Sequence, residues 1–329
     1  MLRYVLKRIL QMLPKLILIS IITFGISKLA PGDFITMKMQ NNPTVSREAI
    51  ERERTRLGLD QPVPVQYLKW AKNFVTGDLG MSYDYHEKVT ALIAQRIPNT
   101  LLLGIAVFLF TWLIALPLGI MAAVRQYSWR DKATSSVTFF FLGVPDFLLA
   151  ILLLLGAAVL NMRFGTIVLP IGGITSATFS EMSFLQKLWD YIWHLIIPVV
   201  AVGIGSIAIL QRRMRGNLLD VLGEEYVRTA RAKGLPENRV IYKHAVRNAL
   251  NPIITLLGFE FAALLSGVAI IESIVSWPGL GQLILDAVLK QDVNLAMAGV
   301  MMGTIMLLIG NLIADILLVV SDPRIKLEA

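Results

Sequence analysis

The sequence predicts an all-α membrane protein: a bundle of six transmembrane helices with a small external subdomain between the first two spans. Composition is the first reason. Hydrophobic residues make up 55% of the 329 and charged residues only 16%, against the roughly 25% charged of a soluble globular domain. The mean hydropathy of +0.65 agrees. Segment length is the second. Six apolar stretches, near 10–29, 100–124, 134–160, 194–211, 252–275 and 293–320, are long enough to cross a hydrocarbon core, which takes about 20 residues at helical rise. The third reason is the placement of Lys and Arg, which alternates from one inter-span segment to the next.

Residues 1–9 form a basic lead-in with Arg3, Lys7 and Arg8, and 10–29 is the first span. A cleavable signal peptide fits poorly, because a cut after Ala30 would place Lys28 and Pro31 at positions that favour small residues. An uncleaved anchor is expected. Residues 31–98 then form the external subdomain. Ser46 to Leu59 reads as a charged helix capped by Ser46 and stopped near Gly58. Pro62 and Pro64 make a stiff joint, Val65 to Val75 reads as a second helix carrying Tyr67, Leu68, Trp70 and Phe74, and Gly77 to Gly80 ends it. Its exposed aromatics fit either a partner surface or the subdomain's own core.

Residues 100–320 hold the remaining five spans. The fourth is interrupted by Pro198, Gly203 and Gly205, which is tolerated where neighbouring helices cover the loosened backbone, so this span should be buried in the bundle. Between the fourth and fifth spans lies a basic loop, 212–251, and residues 321–329 form a tail. With both termini inside, the inner segments hold 17 Lys and Arg, against Arg163, Lys187 and Lys290 in the two short outer loops. Longer loops such as 31–98 weigh little in this rule. Cytoplasmic termini follow. The net charge of +8 is then mostly topological, which argues against nucleic acid as a partner.

Catalytic chemistry is missing from the sequence. There is no cysteine, no Gly-x-x-x-x-Gly-Lys-Ser/Thr loop to cradle phosphates, and His86, His194 and His244 are too scattered for a metal site on one helix. No enzyme and no bound cofactor or metal is expected. What stands out instead are acids within spans, Asp146, Glu260 and Asp315, because an ionisable residue in lipid must face a polar cavity or a partner. Asp146 and Glu260 are candidates for a transport path, Glu260 sharing a stripe with Leu264, Gly267 and Ile271. A buried interhelical hydrogen bond is the equal alternative for Glu260. Asp315 is expected to make a structural pair with a loop Arg near the cytoplasmic end.

The most specific stretch is Tyr226 to Pro236 in the basic loop. Glu224 and Glu225 open a short helix, Arg231 and Lys233 close it, Gly234 supplies a left-handed stop, and Pro236 restarts a second helix through about Leu250. A folded elbow of this kind suits a protein that is pushed by a soluble partner. Ala230-Arg-Ala-Lys-Gly234 followed by His244-Ala-Val-Arg-Asn248 resembles the coupling loop of permease subunits in the dipeptide, oligopeptide and nickel branch of ABC importers. Arg228 stands where the broader family has Glu, Thr229 and Ala230 at its two Ala places, His244 at its Ile place and Arg247 at its Pro place. The likeness runs through Ala30 to Asp33, Leu57 to Pro62, Gln66-Tyr67, Gly77 to Gly80, Arg96 to Pro98, Pro145 with Phe147, Leu169-Pro170 and Pro198. It continues through Glu272 to Gly281, Asn311, Asp315 and Asp322 to Arg324.

The resemblance implies the six-helix bundle of a type I ABC importer in a bacterial or archaeal cytoplasmic membrane, importing short peptides, or nickel or oligosaccharide. It implies a second homologous permease subunit, two ATP-binding subunits or domains that use ATP and Mg, and an extracytoplasmic substrate-binding protein. Coupling is implied for Arg228, Thr229, Ala230, Arg231, Ala232, Lys233, Gly234, His244, Arg247 and Asn248, with small Ala230 and Ala232 letting the helix seat in a groove of the ATPase. Tyr67, Trp70, Glu272 and Trp277 are implied at the external gate or the binding-protein contact. The rival from another class is an ion-coupled secondary transporter using Asp146 and Glu260 as proton relays, which leaves the elbow unexplained.

Overall fold

The computed structural model describes residues 2–29, 48, 52, 55, 60–254 and 269–321. Among them secondary structure is helical apart from one isolated bridge between Met81 and Lys88. Five helices are long and apolar enough to cross a membrane, over Val5–Leu29, Val89–Val124, Asp146–Phe164, Phe184–Leu222 and Val293–Ile313. The expected fifth span, 252–275, lies mostly outside the described residues, as does Glu260; so does most of the expected helix from Ser46 to Leu59.

Helix α1 (Leu2–Leu29) packs along the last long helix, and Arg8 meets Asp315 at 3.2 Å. The acid in the sixth span thus has its Arg partner, but on the first helix rather than in the expected loop. Helix α2 (Val63–Val75) begins two residues earlier than expected, with Pro62 at its N-cap position. Its aromatic face lies on α1: Tyr67 and Trp70 stack around buried Phe24 at 5.6 and 5.8 Å, and the Tyr67 hydroxyl meets Ser20 Oγ at 2.8 Å. These aromatics form a core between the subdomain and the first span. Gly77 and Gly80 then take the positive φ that turns the chain into α3 (Val89–Val124).

The third span departs from expectation. A single helix over 134–160 was expected, but two are found, α4 (Trp129–Leu142) and α5 (Asp146–Phe164), separated at Gly143 to Pro145. Pro145 lacks an N–H and bars helical geometry from the residue before it, so the ladder stops there. Helix α6 (Phe184–Leu222) runs unbroken through Pro198, Gly203 and Gly205 for 39 residues, roughly 58 Å at helical rise. Among the five described spans it has the largest buried share, in line with the expectation that it is buried in the bundle. Its main partner is α3, and glycines set the approach: a Cβ on Gly119 would meet Met214 at 2.7 Å, and one on Gly203 would meet Phe110 at 2.6 Å.

Two further helices, α8 (Ala269–Ile274) and α9 (Leu280–Leu289), precede the last span, α10 (Val293–Ser321); the label α7 belongs to the first arm of the elbow, Glu225–Ala232. Buried carboxylates tie the loops at the end of the bundle opposite the elbow. Asp292 accepts from Ser82 Oγ (2.5 Å) and from the Tyr83 and Asp84 N–H groups, and caps α10 through the Leu295 N–H. Asp190 accepts from the Ser176 N–H at 2.8 Å and its hydroxyl at 2.5 Å.

Candidate functional site

The elbow is a folded unit. In α7, Val227 is fully buried and Ala230 7% exposed; both join a cluster with Met214 and Leu218 of α6, Ala123 of α3 and Val240, Ile241 and Ala245 of the second arm. The helix ends in a Schellman motif. The Leu235 N–H reaches the Ala230 carbonyl, the Gly234 N–H reaches that of Arg231, and Gly234 sits at φ +74°. Leu235 packs on the same cluster, which completes the cap's apolar contact. The expected glycine stop is present.

The second arm opens with a helical turn at Glu237–Arg239 after Pro236, as expected, but continues as a π-helix over Val240–Val246 before regaining α geometry at Arg247–Ala249. A π segment widens the turn and is frequent at functional sites. Here it directs Val240, Ile241, Ala245 and Val246 into one cluster. Side chains also join the two arms. Asn248 Nδ2 donates to the Tyr226 hydroxyl at 2.8 Å and to the His244 carbonyl, and Arg231 grips Glu237 at 2.8 Å. That hydrogen bond to Arg231 holds the Glu237 carboxyl below its ordinary value, against a smaller effect of burial.

The elbow's exposed face therefore carries Arg228, Thr229, Arg231, Ala232, Lys233, Gly234, Arg247 and Asn248, with His244 half-buried. Ala230 is the correction. It was expected to seat in a partner's groove beside Ala232, yet it points into the chain's own core, while Ala232 faces outward. Its small size serves the close approach of α7 to α6. The elbow is thereby packed directly on α6 and α3.

Sequence reasoning missed a clamp near the same end. Asp131, almost fully buried, receives Arg215 Nε at 2.7 Å and Nη2 at 2.9 Å, and the Tyr127 N–H at 2.8 Å. It ties α4 to α6. The Arg215 hydrogen bonds hold its carboxyl below the ordinary carboxylate range, with burial opposing them. A depressed folded-state value stabilises above the ordinary pKa of about 3.9 and is lost as pH falls through the lower one. Asp131→Asn should cost about 1.5–3 kcal/mol, the range for hydrogen bonds to charged groups. Thermal unfolding should show a lower midpoint for the variant near neutral pH, with the gap to wild type closing in strong acid.

At the far end, Glu272 and Trp277 are both fully buried. Glu272 Oε1 accepts from Thr100 Oγ1 at 2.9 Å, Oε2 accepts from the Gln282 N–H at 2.9 Å, and Thr100 in turn accepts from the Leu280 N–H. Trp277 Nε1 donates to the Asn99 carbonyl and Asn99 Nδ2 to the Pro278 carbonyl. The stretch from Glu272 to Gly281 is thus a loop wrapped around one carboxylate and locked onto α3. Neither side chain is offered at this chain's surface, whereas Tyr67 and Trp70 remain half-exposed beside α1.

Asp146 opens α5 at the break in the third span, exposed, with its Oδ1 so close to Gly205 of α6 that a Cβ there would lie 2.9 Å from it. No described residue pairs with it. Groups of His, Cys, Asp and Glu able to hold a metal are absent among the described residues.

The sequence pattern of the family described as "Binding-protein-dependent transport system inner membrane component" matches residues 115–327, and that of its N-terminal region matches 1–104. An oligopeptide transport system permease protein (AppB) of Bacillus subtilis is 39% identical over 98% of this chain and 99% of its own length. A putative peptide permease protein of Brucella ovis is 38% identical, covering 99% of each. A glutathione transport system permease protein (GsiC) of Escherichia coli is 33% identical, also over 99% of each. Among solved structures, an inward-facing form of the MetNI methionine ABC transporter superposes with a TM-score of 0.54 at 16% identity, over 70% of this chain and 96% of that one. That likeness concerns the fold.

Proposed function

The chain belongs to the family of binding-protein-dependent transport system inner-membrane components, and from this we propose that it conducts short peptides inward, driven by ATP that partner chains hydrolyse. It is a membrane permease subunit of an ABC importer. The peptide cargo is supported by full-length relatives named for oligopeptide and glutathione transport. Two ATP-binding subunits or domains, using ATP and Mg, would dock on the exposed face of the elbow. A second permease subunit would complete the path, and an extracytoplasmic binding protein would deliver the peptide to the opposite end.

The observation that carries the coupling role is the weld between elbow and bundle. Val227 and Ala230 share one core with Met214 and Leu218 of α6, so α7 and the longest span move together. Closure of the ATPases would shift the elbow and, through α6, rock the bundle between inward and outward opening. Asp146, and Glu260 in the expected fifth span, are the acids proposed for the path, since an acid among apolar spans needs a polar surrounding. On this reading both termini and the elbow face the cytoplasm, an orientation supported by the excess of Lys and Arg in the segments on that side. Single cysteines at Lys72 and Asn238, the only thiols in an otherwise cysteine-free chain, test that orientation. An impermeant thiol reagent on intact cells should label Lys72→Cys and spare Asn238→Cys, and the reverse would invert the arrangement.

A further inference from the structure

Asp146 of α5 and Arg212 of α6, opposite in charge, lie along one stripe of α6 with no ion-pair partner among the described residues. Asp146 lies against Gly205. Arg212, seven residues on, is exposed, and its guanidinium rests over the Phe139 ring at 4.5 Å. No described residue gives either charge a hydrogen-bond or ion-pair partner. Seven helical residues return to the same face about 10 Å along the axis. Beside Arg212 lies a cleft between α4 and α6 of about 80 Å³, bounded by Ser135, Thr138, Gln211, Arg212 and Arg215. Gln211 is 1% exposed; its Oε1 lies 3.4 Å from the Thr138 hydroxyl, and its Nε2, also buried, has no partner.

A buried amide donor without an acceptor is costly in a packed interior, and Gln211 lines a cleft together with the Arg212 guanidinium, while the Ser135 and Thr138 hydroxyls there already donate to Asp131 and to the Thr134 and Ser135 carbonyls. The amide and the guanidinium together suit a carboxylate. An aliphatic span with an exposed, unpartnered acid suits a cation equally well. We infer that Asp146 and the cleft at Gln211 and Arg212 form a two-point clamp for a zwitterionic peptide, Asp146 taking the terminal ammonium and Gln211 with Arg212 the terminal carboxylate. The inference rests on the peptide-import reading and adds a recognition site within the permease itself. Three extended residues span at most about 10–11 Å, comparable with the roughly 10 Å of helix from Gly205 to Arg212. Arg215 is committed to Asp131 and serves as the wall of the cleft. A Cβ at Gly205 would lie 2.9 Å from Asp146 Oδ1, so the carboxylate would have to shift from its present place.

The test uses the full complex with its partner permease and ATPases in nanodiscs, nucleotide-free and without binding protein. Equilibrium binding of radiolabelled trialanine is compared with that of N-acetyl-trialanine and trialanine amide. Wild type should bind each capped peptide about tenfold more weakly than trialanine. Asp146→Asn should weaken trialanine about tenfold and leave the acetylated peptide unchanged; Arg212→Gln should weaken trialanine and leave the amide unchanged. Size-exclusion elution confirms that each variant is assembled, and the wild-type comparison stands even if a variant is not. Equal binding of free and capped peptides by wild type overturns the clamp, as does a variant that weakens all three peptides alike. If proteoliposomes with binding protein and ATP still take up trialanine in that event, the import reading survives. If wild type takes up no peptide, that reading falls and the clamp with it.

Discussion

Gly234→Val is expected to abolish substrate-stimulated ATP hydrolysis and uptake while leaving membrane insertion intact. Gly234 holds φ +74° at the C-terminus of α7, where an L-residue costs about 1–2 kcal/mol and a β-branched one is a genuine outlier. The space around it is open, since a Cβ would meet nothing within 4 Å. The penalty is therefore conformational, and the chain relieves it by undoing the Schellman bonds of Leu235 and Gly234. The turn between the arms opens and the exposed face that carries Arg231, Ala232 and Lys233 shifts. No span is touched. Ala232→Trp should give the same loss by blocking a partner from outside, because Ala232 is exposed. Ala230→Trp would instead burst the chain's own core and says nothing about docking. Stimulated ATPase activity of the reconstituted complex separates the outcomes: a loop that only supplies positive charge would leave both Gly234→Val and Ala232→Trp at the wild-type level.

Gly279→Ala should be the most damaging small substitution at the opposite end. A Cβ at Gly279 would collide with the fully buried Glu272 carboxylate. The carboxylate would have to leave the Thr100 hydroxyl and the Gln282 N–H, which have no other acceptor shown. Overpacking of this kind costs about 1–3 kcal/mol, with a further penalty of about 1–3 kcal/mol for each buried polar group left unsatisfied. The expected result is a markedly lower melting temperature and yield of the purified complex. Glu272→Ala in the same background should recover part of the loss by removing the clash; no recovery would contradict the account of this loop.

The fold was legible where the signal is local. Gly234 and Pro236 marked the elbow because each imposes its own backbone geometry, and Gly77 and Gly80 marked the end of α2 for the same reason. Pro145 carried the signal for the break in the third span, but apolar residues on both sides hid it. The direction of Ala230 could have been read from its i,i+3 pairing with Val227, one apolar stripe on a polar helix. The π-helix at Val240–Val246 had no local signal, since packing on the shared cluster selects it. The resemblance puts Glu272 at the external gate or binding-protein contact, yet the side chain is fully buried. Its burial depends on Thr100, distant in sequence, and on glycines that make room for it. The Asp131–Arg215 and Asp292–Ser82 pairs were missed for the same reason, being long-range partnerships between residues that look unremarkable alone.

The central claim is that ATP, acting through partner chains on the elbow, drives peptide import through this bundle. Its most direct test is trialanine accumulation in proteoliposomes that contain this chain with its partner permease, ATPases and binding protein. Accumulation should require ATP, persist when a protonophore collapses the proton gradient, and vanish with Gly234→Val. Accumulation driven by an imposed proton gradient without ATP, and unaffected by Gly234→Val, would contradict it.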